Sequence, residues 1–73
     1  MNNKYDLLEK VDSYIRKEYK KDLRKMNGLI CLLKTNHDNI ENVKKANDFK
    51  VIYHQAEGYE NELLGIINKF KIK

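Results

Sequence analysis

The 73-residue chain contains no proline, only three glycines and a single cysteine. Without proline, nothing in the covalent backbone obliges a helix to stop. One cysteine excludes an intrachain disulfide and any cysteine-based metal cluster. The longest apolar run, Leu29-Ile30-Cys31-Leu32-Leu33, has five residues, far below the ~20 needed to span a bilayer, so no membrane insertion is expected. The opening Met1-Asn2-Asn3-Lys4-Tyr5-Asp6 is polar, and Leu7-Leu8 is interrupted at once by Glu9. That is not the pattern of a signal peptide, and the expected compartment is the cytoplasm.

Chemical motifs are equally scarce. There is no glycine-rich phosphate loop, no nucleophile elbow and no pair of histidines at metal-ligand spacing. His37 and His54 are expected roughly 25 Å apart along a helical hairpin at ~1.5 Å per residue. Cys31 with His37 is the only thiol–base pairing to weigh, and a small residue inside Leu29–Leu33 reads as packing. Glu60 and Glu62 read as solvated helix-surface charges. No catalytic residue, metal or cofactor is expected, and the chain is not expected to be an enzyme.

What is present is apolar content of 41%, charged content of 36% and a net charge of +4, enough for one helical domain over 1–73. Only Arg16 and Arg24 among the fifteen basic residues are arginine. With frequent Asn, Ile and Tyr, this matches the coding bias of AT-rich genomes, as in low-GC bacteria and their phages, and it argues against reading every lysine as selected for binding.

Leu8, Val11, Ile15, Tyr19, Leu23, Met26, Ile30 and Leu33 recur at steps of three and four. This predicts one helix over about 4–34, capped by Asn2 or Asn3, with Asp6 in its first turn. Its length would be about 45 Å. A strict heptad would place Glu18, Asp22 and Lys25 on the seam, whereas an eleven-residue spacing keeps it apolar, as in a nearly straight helix. Glu18 and Asp22 are then expected to pair with lysines across the hairpin or a dimer seam, or else to fix register.

Thr35, Asn36, His37 and Asp38 form the expected turn (35–38), with Asp38 and Glu41 at capping-box spacing. A second helix is predicted over about 39–70. Phe49, Ile52, Ala56, Tyr59, Leu63, Ile66, Ile67 and Phe70 share one arc, while Ile40 and Val43 lie nearly opposite. Either this helix is continuous and bent near Asn47, or Asn47-Asp48 caps a fresh helix and the chain has three. Gly28, Gly58 and Gly65 all fall inside these predicted helices, and Gly58 with Gly65 offers a groove for another chain. Lys69 and Lys71 suit a helix C-terminus.

The fold expected is therefore all-α: a long antiparallel helical hairpin of two helices, three if broken near Asn47. An open hairpin of this length buries little apolar surface. Leu29, Ile30, Leu32 and Leu33 point all round the first helix, so they are the expected self-association residues of a homo-oligomeric bundle. Largely opposite the apolar arc of the first helix, Arg16, Lys17, Lys20, Lys21 and Arg24 make a basic face. The leading functional expectation is a non-enzymatic protein-interaction module, such as a phage or regulatory inhibitor, adaptor or scaffold. The alternative is a nucleic-acid-binding regulator using that basic face, and the plainest reading of the face is a solvated helix surface.

Overall fold

Three α-helices enclose one core in the computed structural model, which describes residues 4–71. Helix α1 spans Lys4–Glu18, α2 spans Leu23–Thr35 and α3 spans Glu60–Lys71. Between α2 and α3 the chain makes three single 3₁₀ turns, His37–Asn39, Ala46–Asp48 and His54–Ala56. The all-α class and the packing of helix on helix follow the sequence reading. The element boundaries do not. Asn2 and Asn3, the expected cap, lie outside the described residues, as do Ile72 and Lys73.

The single helix expected over 4–34 is broken at residues 19–22. Asp22 secures the break locally. Its carboxylate Oδ1 accepts the Lys25 N–H at 3.2 Å, making it the N-cap of α2, and its own N–H donates to the Tyr19 carbonyl at 3.0 Å. A short carboxylate that bonds nearby backbone competes with helix continuation. Folding α2 back on α1 lets one chain cover its own apolar run. Leu7, Val11 and Ile15 come in from α1, and Leu29, Leu32 and Leu33 from α2. The break also ends the predicted stripe: Leu23, expected on it, is 61% exposed.

The second helix expected over 39–70 forms only at its end. From 40 to 59 the chain forms no α-helix and, outside its two 3₁₀ turns, is irregular; it is held in part by side chains bonding to backbone. Asp48 Oδ2 accepts the N–H groups of Lys44 at 2.9 Å and Lys45 at 3.2 Å. Asn36, only 5% exposed, caps the end of α2 and reaches Lys50. Ile40 and Val43 are fully buried, so their rotation away from the later apolar set marks a loop that plugs the core, not a helix changing neighbours. The third helix therefore arises from the break at 19–22 and not from one near Asn47. Gly58 lies in the turn before α3 with φ +91°, a left-handed conformation that glycine adopts without strain. It is not a helical residue.

Helix α3 is amphipathic as predicted from its arc. Leu63, Ile66 and Ile67 are buried, Glu60 and Glu62 occupy its first turn, and Lys69 and Lys71 its last, each sign suited to the helix dipole. Its far end is fixed by Phe70, which meets the Tyr14 ring edge-on at 5.5 Å. The radius of gyration is 11.2 Å, matching the ~11 Å of a compact globule of this length. A 45 Å hairpin arm is absent; the longest principal extent is 32 Å.

This closure bears on the residues expected to self-associate. Leu29 and Leu32 are 0% exposed, Leu33 2% and Ile30 8%, all within a single chain. An apolar run that points all round its helix does require cover on every side, and here α1, α3 and the 40–59 loop provide it. No helix among the described residues is long and apolar enough to cross a membrane.

Candidate interaction surface

The corner joining α1 to α2 carries most of the predicted basic face. Because the helix breaks there, those residues form no stripe along one helix; they wrap a bend. Arg16 and Lys17 sit in the last turn of α1, Lys20 and Lys21 in the turn, and Arg24 in the first turn of α2; all five are exposed. Arg16 is tied to Asp12, Nε to Oδ2 at 2.9 Å. Lys17, Lys20, Lys21 and Arg24 have no carboxylate within salt-bridge distance among the described residues. Leu23 stands exposed directly after Lys21 and Asp22.

Behind this corner a polar cluster locks the three helices together. The Tyr19 hydroxyl donates to Glu62 Oε2 at 2.6 Å, Lys25 Nζ lies 3.4 Å from Glu62 Oε1, and the same ammonium sits 5.7 Å from the Tyr19 ring centroid. Burial, followed by the hydrogen bond to Glu62, pushes the Tyr19 phenol up to about 12. Both remove the advantage of ionising: desolvation penalises phenolate, and a carboxylate already at the hydroxyl repels it. Glu62, expected as a solvated charge, is thus a partner for α1 and α2 at once. Glu60 is also engaged, accepting the Gly58 N–H at 3.0 Å. Glu18 stays exposed, and Asp22 serves as a cap where a cross-seam pair with lysine was expected.

The remaining sequence candidates separate. His37 lies against Asp38 at 3.1 Å, with its other ring nitrogen 2.9 Å from the Lys34 carbonyl. His54 pairs with Glu57 at 3.1 Å with a 95% exposed side chain. Cys31 is half-buried against the core, in the packing role expected of it. Among the described residues no group of three or more His, Cys, Asp or Glu is placed to hold a metal ion.

Gly28 gains a specific role. A Cβ there would lie 2.6 Å from the Gln55 carbonyl oxygen and inside the Tyr59 ring contact. The last stretch of the loop therefore crosses α2 at a point where only glycine fits. Gly65 has open space around it, and Gly58 is a turn residue, so the two do not form the groove suggested by their seven-residue spacing.

Two surface features had no counterpart in the sequence reading. Ile52, placed on a buried arc by periodicity, and Tyr53, at the edge of that arc, are 62% and 54% exposed, because the loop leaves helical phase before reaching them. A groove of about 530 Å³ runs between α1 and α2, lined by Leu8, Asp12 and Arg16 on one side and Leu33, Lys34 and His37 on the other. The Asn36 strap and the Tyr19–Glu62–Lys25 cluster join residues far apart in sequence, and only the Asp22 cap, an Asp followed by an apolar periodic run, left a readable local signal. No known protein family, curated protein or solved structure matches this chain.

Proposed function

We propose that this protein is a non-enzymatic protein-interaction module, acting as an inhibitor, adaptor or scaffold. The observation that carries the reading is the exposure of Leu23, Ile52 and Tyr53 on a molecule whose interior is already closed. Large apolar side chains held at the surface, with charged residues nearby, are the composition of interface anchors. The polar groups that hold the fold support it too. Asn36, Asp48, Glu62 and Tyr19 are committed to backbone or to one another, which leaves the surface as the place where binding free energy is available.

The test is photo-cross-linking in the source cells, with a photoreactive amino acid replacing Leu23, Ile52 or Tyr53 in turn. A discrete protein adduct, displaced by excess unlabelled protein, is the expected result; no displaceable adduct from any of the three positions overturns the proposal.

A nucleic-acid-binding regulator is the second reading, favoured by the four cations at the α1–α2 corner that lack carboxylate partners. Its signature is affinity for random RNA or duplex DNA that falls steeply with salt. Absence of binding at about 50 mM salt removes it.

A further inference from the structure

We infer that the α1–α2 corner is the docking surface of this module, and that its partner is a protein segment presenting carboxylates around an apolar residue. The inference rests on the interaction-module reading and names the surface and partner chemistry.

Charge is the first argument. Lys17, Lys20, Lys21 and Arg24 are exposed and have no carboxylate within salt-bridge distance among the described residues. The other charged groups at this end offset them only in part. Asp22 accepts the Lys25 N–H, and Glu62 is shared between Tyr19 and Lys25. Glu18 and the capping Asp22 remain exposed carboxylates, two negative charges against the four unpaired cations. Helix α2 has no acidic residue in its first turn beyond the Asp22 cap; that capping carboxylate offsets the N-terminal dipole, so the positive excess comes from the four cations themselves. An acidic surface is the complement.

The apolar residue is the second argument, and it selects the class of partner. Leu23 is 61% exposed at the first position of α2, adjacent to Arg24 and just past Lys20 and Lys21. A phosphate backbone offers nothing to a leucine, whereas a protein surface can bury it inside a ring of ion pairs. Single-stranded nucleic acid instead wants a free aromatic face on which bases stack. The one aromatic ring at the corner, Tyr19, has its hydroxyl bonded to Glu62 and the Lys25 ammonium over its ring.

The corner is also presented rigidly. The Tyr19–Glu62–Lys25 cluster ties the end of α1, the start of α2 and the first turn of α3 together directly behind it. Little ordering is then required on binding, which favours affinity from a small contact.

The experiment measures fluorescence anisotropy with three labelled probes: a peptide of alternating Glu and Ala with one central Leu, the same peptide with Ser at the centre, and an oligouridylate of equal charge. The leucine peptide is expected to bind about tenfold more tightly than the serine peptide, roughly the worth of one buried apolar side chain. Its binding should weaken with added salt, and Lys20→Glu with Lys21→Glu should abolish it. Leu23→Ser should erase the difference between the two peptides while preserving the salt dependence. All three sites are exposed, and circular dichroism verifies that the variants remain folded. Equal binding of the two peptides, no binding of either, or tighter binding of the oligouridylate overturns the inference. In the cross-linking experiment, an adduct through Ile52 with none through Leu23 overturns the corner as docking surface while the interaction-module reading stands; no adduct anywhere overturns both.

Discussion

Asn36 holds Lys50 by both of that residue's backbone groups: its Oδ1 accepts the Lys50 N–H at 2.7 Å, and its Nδ2 donates to the Lys50 carbonyl at 2.9 Å. The same Nδ2 donates to the Leu32 carbonyl at 2.8 Å. One side chain thus closes the end of α2 and pins the far side of the loop that carries Ile40 and Val43 into the core. It imitates the pairing of an antiparallel strand and, with the Asp48 bonds to Lys44 and Lys45, helps a loop without α-helix hold a definite path.

Replacing Asn36 with Ala should therefore cost about 2–3 kcal/mol, since it leaves the Lys50 amide and carbonyl without their partner and takes one of two donors from the Leu32 carbonyl. The measurement is the urea midpoint. A change within about 0.5 kcal/mol, usual for surface positions, would show that water satisfies these groups and that the strap is incidental.

Gly28 and Gly65 should respond to alanine with opposite signs. At Gly28 the new methyl group meets the Gln55 carbonyl and the Tyr59 ring, and overpacking of this kind costs typically about 1–3 kcal/mol. At Gly65 nothing lies within 4 Å, and alanine in an exposed helix interior is favoured by up to about 1 kcal/mol. Thermal unfolding of the two variants side by side checks both. Stabilisation by Gly28→Ala would mean that the loop does not cross α2 at this point.

Tyr19 predicts an alkaline limit to stability. Its phenol is raised from 10.0 to about 12 in the folded chain, so the unfolded chain releases this proton first as pH rises. The contribution is fully present below pH 10 and is lost as pH climbs from about 10 toward 12. Urea unfolding across that interval should show the decline, and Tyr19→Phe should flatten that part of it while lowering stability at neutral pH. An identical alkaline profile in the phenylalanine variant would remove Tyr19 as its cause.

Leu32→Ala should cost about 2–5 kcal/mol, because the side chain is fully buried and the cavity cannot fully collapse. Sedimentation of the unaltered protein should give a monomer at micromolar concentration, since the run Leu29–Leu33 is covered within one chain. A concentration-dependent dimer would place self-association on a different surface, and Leu23 and Ile52 would be the residues to examine first.

Much of the core was legible because helical periodicity reports burial wherever a helix forms. Val11 and Ile15 in α1, Leu29, Ile30, Leu32 and Leu33 in α2, and Leu63, Ile66 and Ile67 in α3 are buried as their spacing implied. The same rule misled between 40 and 59. There Ile52 was placed on a buried arc and is exposed, while Ile40 and Val43, off that arc, are fully buried. Of the surface candidates, Arg16, Lys17, Lys20, Lys21 and Arg24 were legible as exposed cations. Leu23 was not, since its exposure depends on the break one residue earlier.

Sequence alone determined the all-α class, the amphipathic last helix and the identity of most core residues, because hydrophobic burial and the 3.6-residue period act locally and strongly. Tertiary structure decided where the helices end. Continuing a helix through Asp22 or Asp48, or capping backbone with those carboxylates, differs by only about 1 kcal/mol per site, too little for local chemistry to settle. The balance is tipped by what each choice lets the chain bury. Bending at 19–22 and unwinding 40–59 wraps the all-round apolar segment of α2 from every side and inserts Ile40 and Val43 into the core. That gain exists only once three distant segments have met.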